Sequence, residues 1–137
     1  MSDSVRHVDY YKVELPDSPG KGARMLEAFR QAGVNLLAFH AFPRQEHSQV
    51  DLVPEDPTAF EAAARTAGID LGPRQSAFLV EGDDRPGAVA SILSRLGEAG
   101  INVIAIDALQ VGDHFGALFW VPQDRVEDAA KILGTVR

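Results

Sequence analysis

Apolar positions in the second half of this chain alternate between strand and helix spacing. Residues 76–81 form a short run with Ala-Phe-Leu-Val at its centre, which predicts a buried strand. Gly82-Asp83-Asp84-Arg85 is turn chemistry, and Pro86 suits a first helical position with Asp84 or Arg85 at or beside the cap. Val89, Ile92, Leu93 and Leu96 recur at helical spacing, Ala99 closes the stripe, and Gly100 terminates it. Residues 101–111 make a long β-branched run, Gly112-Asp113-His114 predicts a hairpin turn, and residues 115–121 return as a strand. Pro122 ends that strand, and Val126, Ala129, Ala130 and Leu133 mark a second amphipathic helix.

The first half follows the same order. Strands are predicted over 8–15, 34–42 and 49–54, with a polar turn at 44–47, and helices over 19–32 and 57–67. Ile69-Asp70-Leu71 reads as a closing fourth strand, leading through Gly72-Pro73 into the second half, where only Thr135-Val136-Arg137 remain for its equivalent. The halves are copies of one another. Val13-Glu14, Asp17-x-Pro19-Gly20 and Gly33-Val34-Asn35 recur as Val80-Glu81, Asp84-x-Pro86-Gly87 and Gly100-Ile101-Asn102, at a constant offset of 67. Two strand-helix-strand-strand-helix-strand units imply an α+β protein of two tandem ferredoxin-like modules, 5–73 and 74–137, each an antiparallel sheet with its helices on one face. Residues 101–111 are apolar on both alternating faces, Val103, Ala105 and Leu109 on one and Ile104, Ile106 and Ala108 on the other. Such a strand is buried on both sides, so the face away from the helices is expected to meet another sheet, most simply from a second chain.

Composition narrows the function. A net charge of −7 lacks the clustered cations of a nucleic-acid surface, and the absence of cysteine removes disulfides, thiol catalysis and thiolate metal sites. No apolar run is long enough to span a bilayer, and the first seven residues lack the apolar centre of a signal peptide, so a cytosolic protein without membrane partners is expected. His40 and His47 lie in or beside one hairpin, but there is no His-x-x-x-His spacing; no metal or cofactor is expected. No nucleophile and base pair stands out either.

The repeated Asp-x-Pro-Gly loop carries the candidate chemistry. It opens a helix, where backbone amides and the helix dipole favour a carboxylate, and Gly20 and Gly87 allow close approach. Asn35 and Asn102, after the helix, add both a donor and an acceptor, a combination suited to a free amino acid. On the local pattern alone, ordinary capping by Asp17 and Asp84 is the favoured reading; recurrence of the whole combination at one spacing counts against it. Asp84-Arg85-Pro86-Gly87, Leu93, Leu96 and Gly100-Ile101-Asn102-Val103 closely resemble the ACT domain, a small amino-acid-binding regulatory module, and the resemblance extends to the first copy. It implies a non-enzymatic sensor that pairs through its sheets as a homo-oligomer, a homodimer, and binds ligand between domains. A regulated metabolic enzyme is the implied partner. Carried over by position, the ligand-binding candidates are Gly82, Asp83, Asp84, Gly87 and Asn102, with Asp17, Gly20 and Asn35 in the first copy. Leu15-Pro16 replaces Gly82-Asp83 in that copy, so the two sites are expected to be unequal. The alternatives are an oligomerisation module with vestigial pockets and, more remotely, a small enzyme of the same topology.

Overall fold

The computed structural model describes residues 3–135. The elements are β1 (Ser4–Pro16), α1 (Lys21–Gln31), β2 (Leu36–Arg44), β3 (His47–Pro54), α2 (Pro57–Ala67), β4 (Gln75–Asp83), α3 (Ala90–Glu98), β5 (Ala105–Val111), β6 (His114–Trp120), a 3-10 turn (Gln123–Arg125) and α4 (Val126–Leu133). The chain divides into two units. Asp9–Gln75 forms the first, and the described residues before Asp9 and after Gln75 form the second.

Each unit is a ferredoxin-like module, and the 67-residue offset maps one core onto the other. In the first, Tyr11 and Val13 of β1 and Val50 and Leu52 of β3 share one buried cluster with Met25 and Phe29 of α1 and with Phe60 and Ala64 of α2. In the second, Phe78, Val80, Ala117, Phe119, Ile92 and Leu96 occupy the equivalent places, joined by Val126, Ala129 and Leu133 of α4. Both helices of each module therefore cover one face of its sheet. The register repeats as well, since Tyr11 stands opposite Leu52 as Phe78 stands opposite Phe119, both in antiparallel pairs. Stacked rings fix these layers: Phe29 on Phe60 at 4.5 Å and Phe78 on Phe119 at 5.2 Å between centroids.

Three expectations need correction. Neither repeated helix begins at its proline. Gly20 and Gly87 adopt left-handed φ values of 87° and 74°, and α1 and α3 start only after them, at Lys21 and Ala90. Secondly, the strands after these helices start late, because Val34 and Ile101 return their amides to Phe29 and Leu96 at 3.0 and 2.9 Å. Those residues close the helix instead of pairing, so pairing begins at Leu36 and near Ile104. Thirdly, residues 69–71 form no strand. The Ile69 amide caps α2 through Ala64 and the Gly72 amide bonds Lys12 at 2.9 Å, while Ile69 and Leu71 pack on the core.

In the second module the fourth-strand place is filled from the other end of the chain. β1 neighbours β4 in the strand order, and residues 4–8 belong to this unit. Asp3 lies against Gly82 and the His7 ring against Phe78, at 5.5 Å, so this segment runs antiparallel to β4. Val5 completes the core cluster. Of the tail expected to supply that strand, Thr135 only caps α4 through Ala130, and Val136 and Arg137 lie outside the described residues.

Candidate functional site

The two Asp-x-Pro-Gly loops fold alike. Lys21 donates its amide to the Ser18 carbonyl in the first and Ala88 to the Arg85 carbonyl in the second, positions 67 apart. In neither does the aspartate cap its helix: no side chain accepts from the first turn of α1 or α3. Where this chain does cap with aspartate, the geometry is plain, Asp56 accepting from the Ala59 amide at 3.1 Å before α2. A left-handed glycine between aspartate and helix carries the carboxylates of Asp17 and Asp84 away from the amides that a cap must reach. The capping reading, favoured on local pattern, therefore fails for both loops.

In the second module the loop borders an open cavity of about 340 Å³. Asp84, Arg85 and Gly87 line it from the loop, Ala88 to Ala90 from the start of α3, and Ala108, Leu109, Gln110 and Phe115 from the β5–β6 hairpin. The hairpin is tied to the loop by the Asp84 amide, which donates to the Asp113 carbonyl at 3.0 Å. Arg85 is the most constrained side chain here. Its Nη1 donates to Asp3 Oδ1 at 3.0 Å and to the Asp83 carbonyl at 2.9 Å, and its Nη2 donates to Asp3 Oδ2 at 2.9 Å. The guanidinium also lies 5.8 Å from the centre of the Phe115 ring. The hydrogen-bonded Asp3 carboxylate raises the arginine pKa further above its ordinary value.

The remaining sequence candidates are placed differently. Gly82 does not line the cavity; a Cβ there would sit 2.1 Å from Asp3 Oδ1 and 2.7 Å from the Phe115 ring, so glycine is what admits Asp3 and Phe115. Asp83 contributes its carbonyl to Arg85. Asn102 is exposed ahead of β5 and is not among the cavity residues. In the first module Asp17 and Gly20 are exposed, and Asn35 is engaged by Glu55, its carbonyl accepting from that amide at 2.9 Å and its Nδ2 donating to the carboxylate at 3.4 Å. The structure thus groups Asp84 and Gly87 with Arg85 and Phe115 and leaves both asparagines outside that group. Arg85 sits inside the motif and was open to recognition as a site residue. Asp3 was not, being 82 positions away in a segment without a motif.

Among the described residues, no group of three or more His, Asp or Glu side chains is placed to hold a metal ion, and no helix is long and apolar enough to cross a membrane.

Comparison with known proteins agrees with the geometry. No curated protein matches the sequence. Among solved structures, a protein from Bacteroides thetaiotaomicron is similar over 93% of this chain and 88% of its own, with a TM-score of 0.78 and 14% identity. The ligand-free regulatory subunit of aspartate kinase from Thermus thermophilus is similar over 98% and 96%, with a TM-score of 0.66 and 18% identity. At such identities the likeness is one of fold, and it spans both modules. The family profile of the ACT domain matches residues 76–137, the stretch that carries the loop and every residue lining the cavity. Residues 76–137, somewhat under half of the chain, are thus similar to the ACT domain family.

Proposed function

We propose that this chain is a tandem ACT protein that binds a small ligand, a free amino acid, at the cavity beside Asp84 and Gly87. The observation that carries this reading is the pairing of opposite charges on one cavity wall, the Asp84 carboxylate and the Arg85 guanidinium. A zwitterion needs an acceptor for its ammonium and a donor fork for its carboxylate, and these two side chains supply them a residue apart. Phe115, Leu109 and Ala108 add apolar surface for a side chain. The first-module loop is of the same fold but has Ser18 where the second has Arg85, which supports a weaker or vacant first site.

The ligand acts by linkage: it favours whichever association state closes the cavity, and the regulated partner is a metabolic enzyme. The Thermus thermophilus relative, a regulatory subunit of aspartate kinase, is a precedent for the fold in such a role.

A thermal-shift screen across the twenty amino acids tests this. Ligand at about a hundred times its dissociation constant adds roughly 2.7 kcal/mol, a shift of several degrees for a chain of this size. Asp84→Asn is expected to reduce the response sharply and Asp17→Asn to leave most of it. If no amino acid shifts the transition at millimolar concentration, sensing of amino acids is wrong, and an oligomerisation module without a working pocket takes its place.

A further inference from the structure

The geometry points to Arg85 as the carboxylate receptor of the cavity, with Asp3 as the residue that positions it. A guanidinium carries five N–H groups in a rigid plane. Both N–H bonds of Nη1 and one of Nη2 are taken, by Asp3 and by the Asp83 carbonyl. Among the described residues, nothing accepts a hydrogen bond from the Nε–H or from the second Nη2–H. These two are parallel, and they form the side-on fork that grips a carboxylate through both oxygens.

The alternative is that Arg85 and Asp3 are only an ion pair pinning the chain start to β4. Two observations weigh against it. The loop folds with the same amide-to-carbonyl bond in the first module, where Ser18 takes the place of Arg85, so the arginine is not required to shape the loop. Arg85 also lines the cavity while its partner Asp3 does not, and its side chain remains 41% exposed against 12% for Asp3. Asp3 therefore holds the end-on fork and leaves the side-on fork for a ligand at the cavity that Arg85 lines. Because Asp3 belongs to the segment that fills the fourth-strand place beside β4, ligand affinity is tied to the docking of the chain start.

The assignment of a carboxylate stands on the arginine alone; only the amino-acid identity of the ligand rests on the preceding proposal. The two are separable by experiment. In a titration with sodium acetate, matched in ionic strength by chloride, the Arg85 Nε–H signal in a proton–nitrogen correlation spectrum is expected to move and saturate. For any amino acid found by thermal shift, converting its α-carboxylate to the carboxamide should weaken binding roughly tenfold or more in the parent protein. The same conversion should cost little in R85Q or in R85K, which keeps the charge but loses the fork. D3N is expected to lower the acetate affinity and shrink the amidation penalty; a merely structural Asp3 would lower the melting temperature and leave that penalty unchanged. An Arg85 signal unmoved by acetate, or an equal amidation penalty in parent and R85K, overturns the assignment even where amino acids bind. A saturating acetate response without any amino-acid shift keeps the receptor and removes the amino-acid reading.

Discussion

At the scale of single residues, the repeat hides differences that matter chemically. Tyr11 and Phe78 are equivalent core positions, but only the tyrosine has a hydroxyl to satisfy. That hydroxyl donates to Glu61 and accepts from Arg74 Nε at 3.0 Å, while Arg74 Nη2 reaches Glu61 at 2.8 Å. Burial, and then the hydrogen bond to Glu61, push the Tyr11 pKa up to about 12 from 10.0. The neutral phenol is thus favoured by folding. Its contribution is complete below pH 10 and is lost as the pH rises from there through 12. Tyr11→Phe is expected to cost about 1–3 kcal/mol at neutral pH, because Glu61 and Arg74 lose a buried partner. Urea denaturation of parent and variant between pH 8 and 12 should show the difference shrinking across that window; a constant difference would contradict the assigned cause. Gln45 illustrates the same point, since it holds a left-handed φ of 59° at the hairpin position where the second copy has Gly112. The offset of 67 told which positions of the two copies correspond, but not that two aspartates would decline to cap. That depended on a φ angle, which the local pattern leaves open because glycine is at home in either hand.

At the scale of elements, alternation and helical spacing located the six strands and four helices of the described residues, and helix 57–67 was placed to the residue. The errors lie at ends and at the fourth strands. Ends are decided by single hydrogen bonds, such as Ile101 to Leu96, that compete with sheet pairing at nearly equal energy. The fourth strand of the second module was sought after α4, where local reasoning puts it, and is supplied by residues 4–8 instead. A consequence follows for stability. Val5 is buried in the second core although all its neighbours there lie more than about seventy residues away in the chain. Val5→Asp should therefore destabilise the second module by about 2–4 kcal/mol, with little effect on the first. Native-state hydrogen exchange should show protection falling in β4, α3 and α4 before it falls in α1 and α2. Equal loss in both modules would mean that the chain start does not belong to the second core.

At the scale of the whole molecule, the sequence expectation of a doubly apolar strand returns as an exposed edge. β5 is an edge strand, and Leu109 and Val111 are 61% and 67% exposed, as is Ile104 just before it at 61%. It has no proline, lysine or bulge, Asp107 is its one charged residue, and its register with β6 is unbroken. An uncovered apolar edge on a chain of net charge −7 is the surface through which we propose that two copies pair. Sedimentation should then show a dimer for the parent and a monomer for Leu109→Lys combined with Val111→Lys. Both positions are exposed, so the melting temperature of the monomeric variant should change little apart from the loss of dimer linkage. A parent that is monomeric at all concentrations would refute this pairing.

The sequence by itself determined the duplication, the class of fold, the apolar stripes of the helices and the loop at which to look for a ligand. Each of these is written in local periodicity or in the repeat, and periodicity reflects which side of a helix or strand must leave water. Tertiary structure alone decided that Asp3 meets Arg85, that Gly82 exists to admit them, and that both asparagines stand apart from the cavity. Those are contacts between residues far apart in the chain. They are set by how strands are ordered in space, which no local pattern encodes.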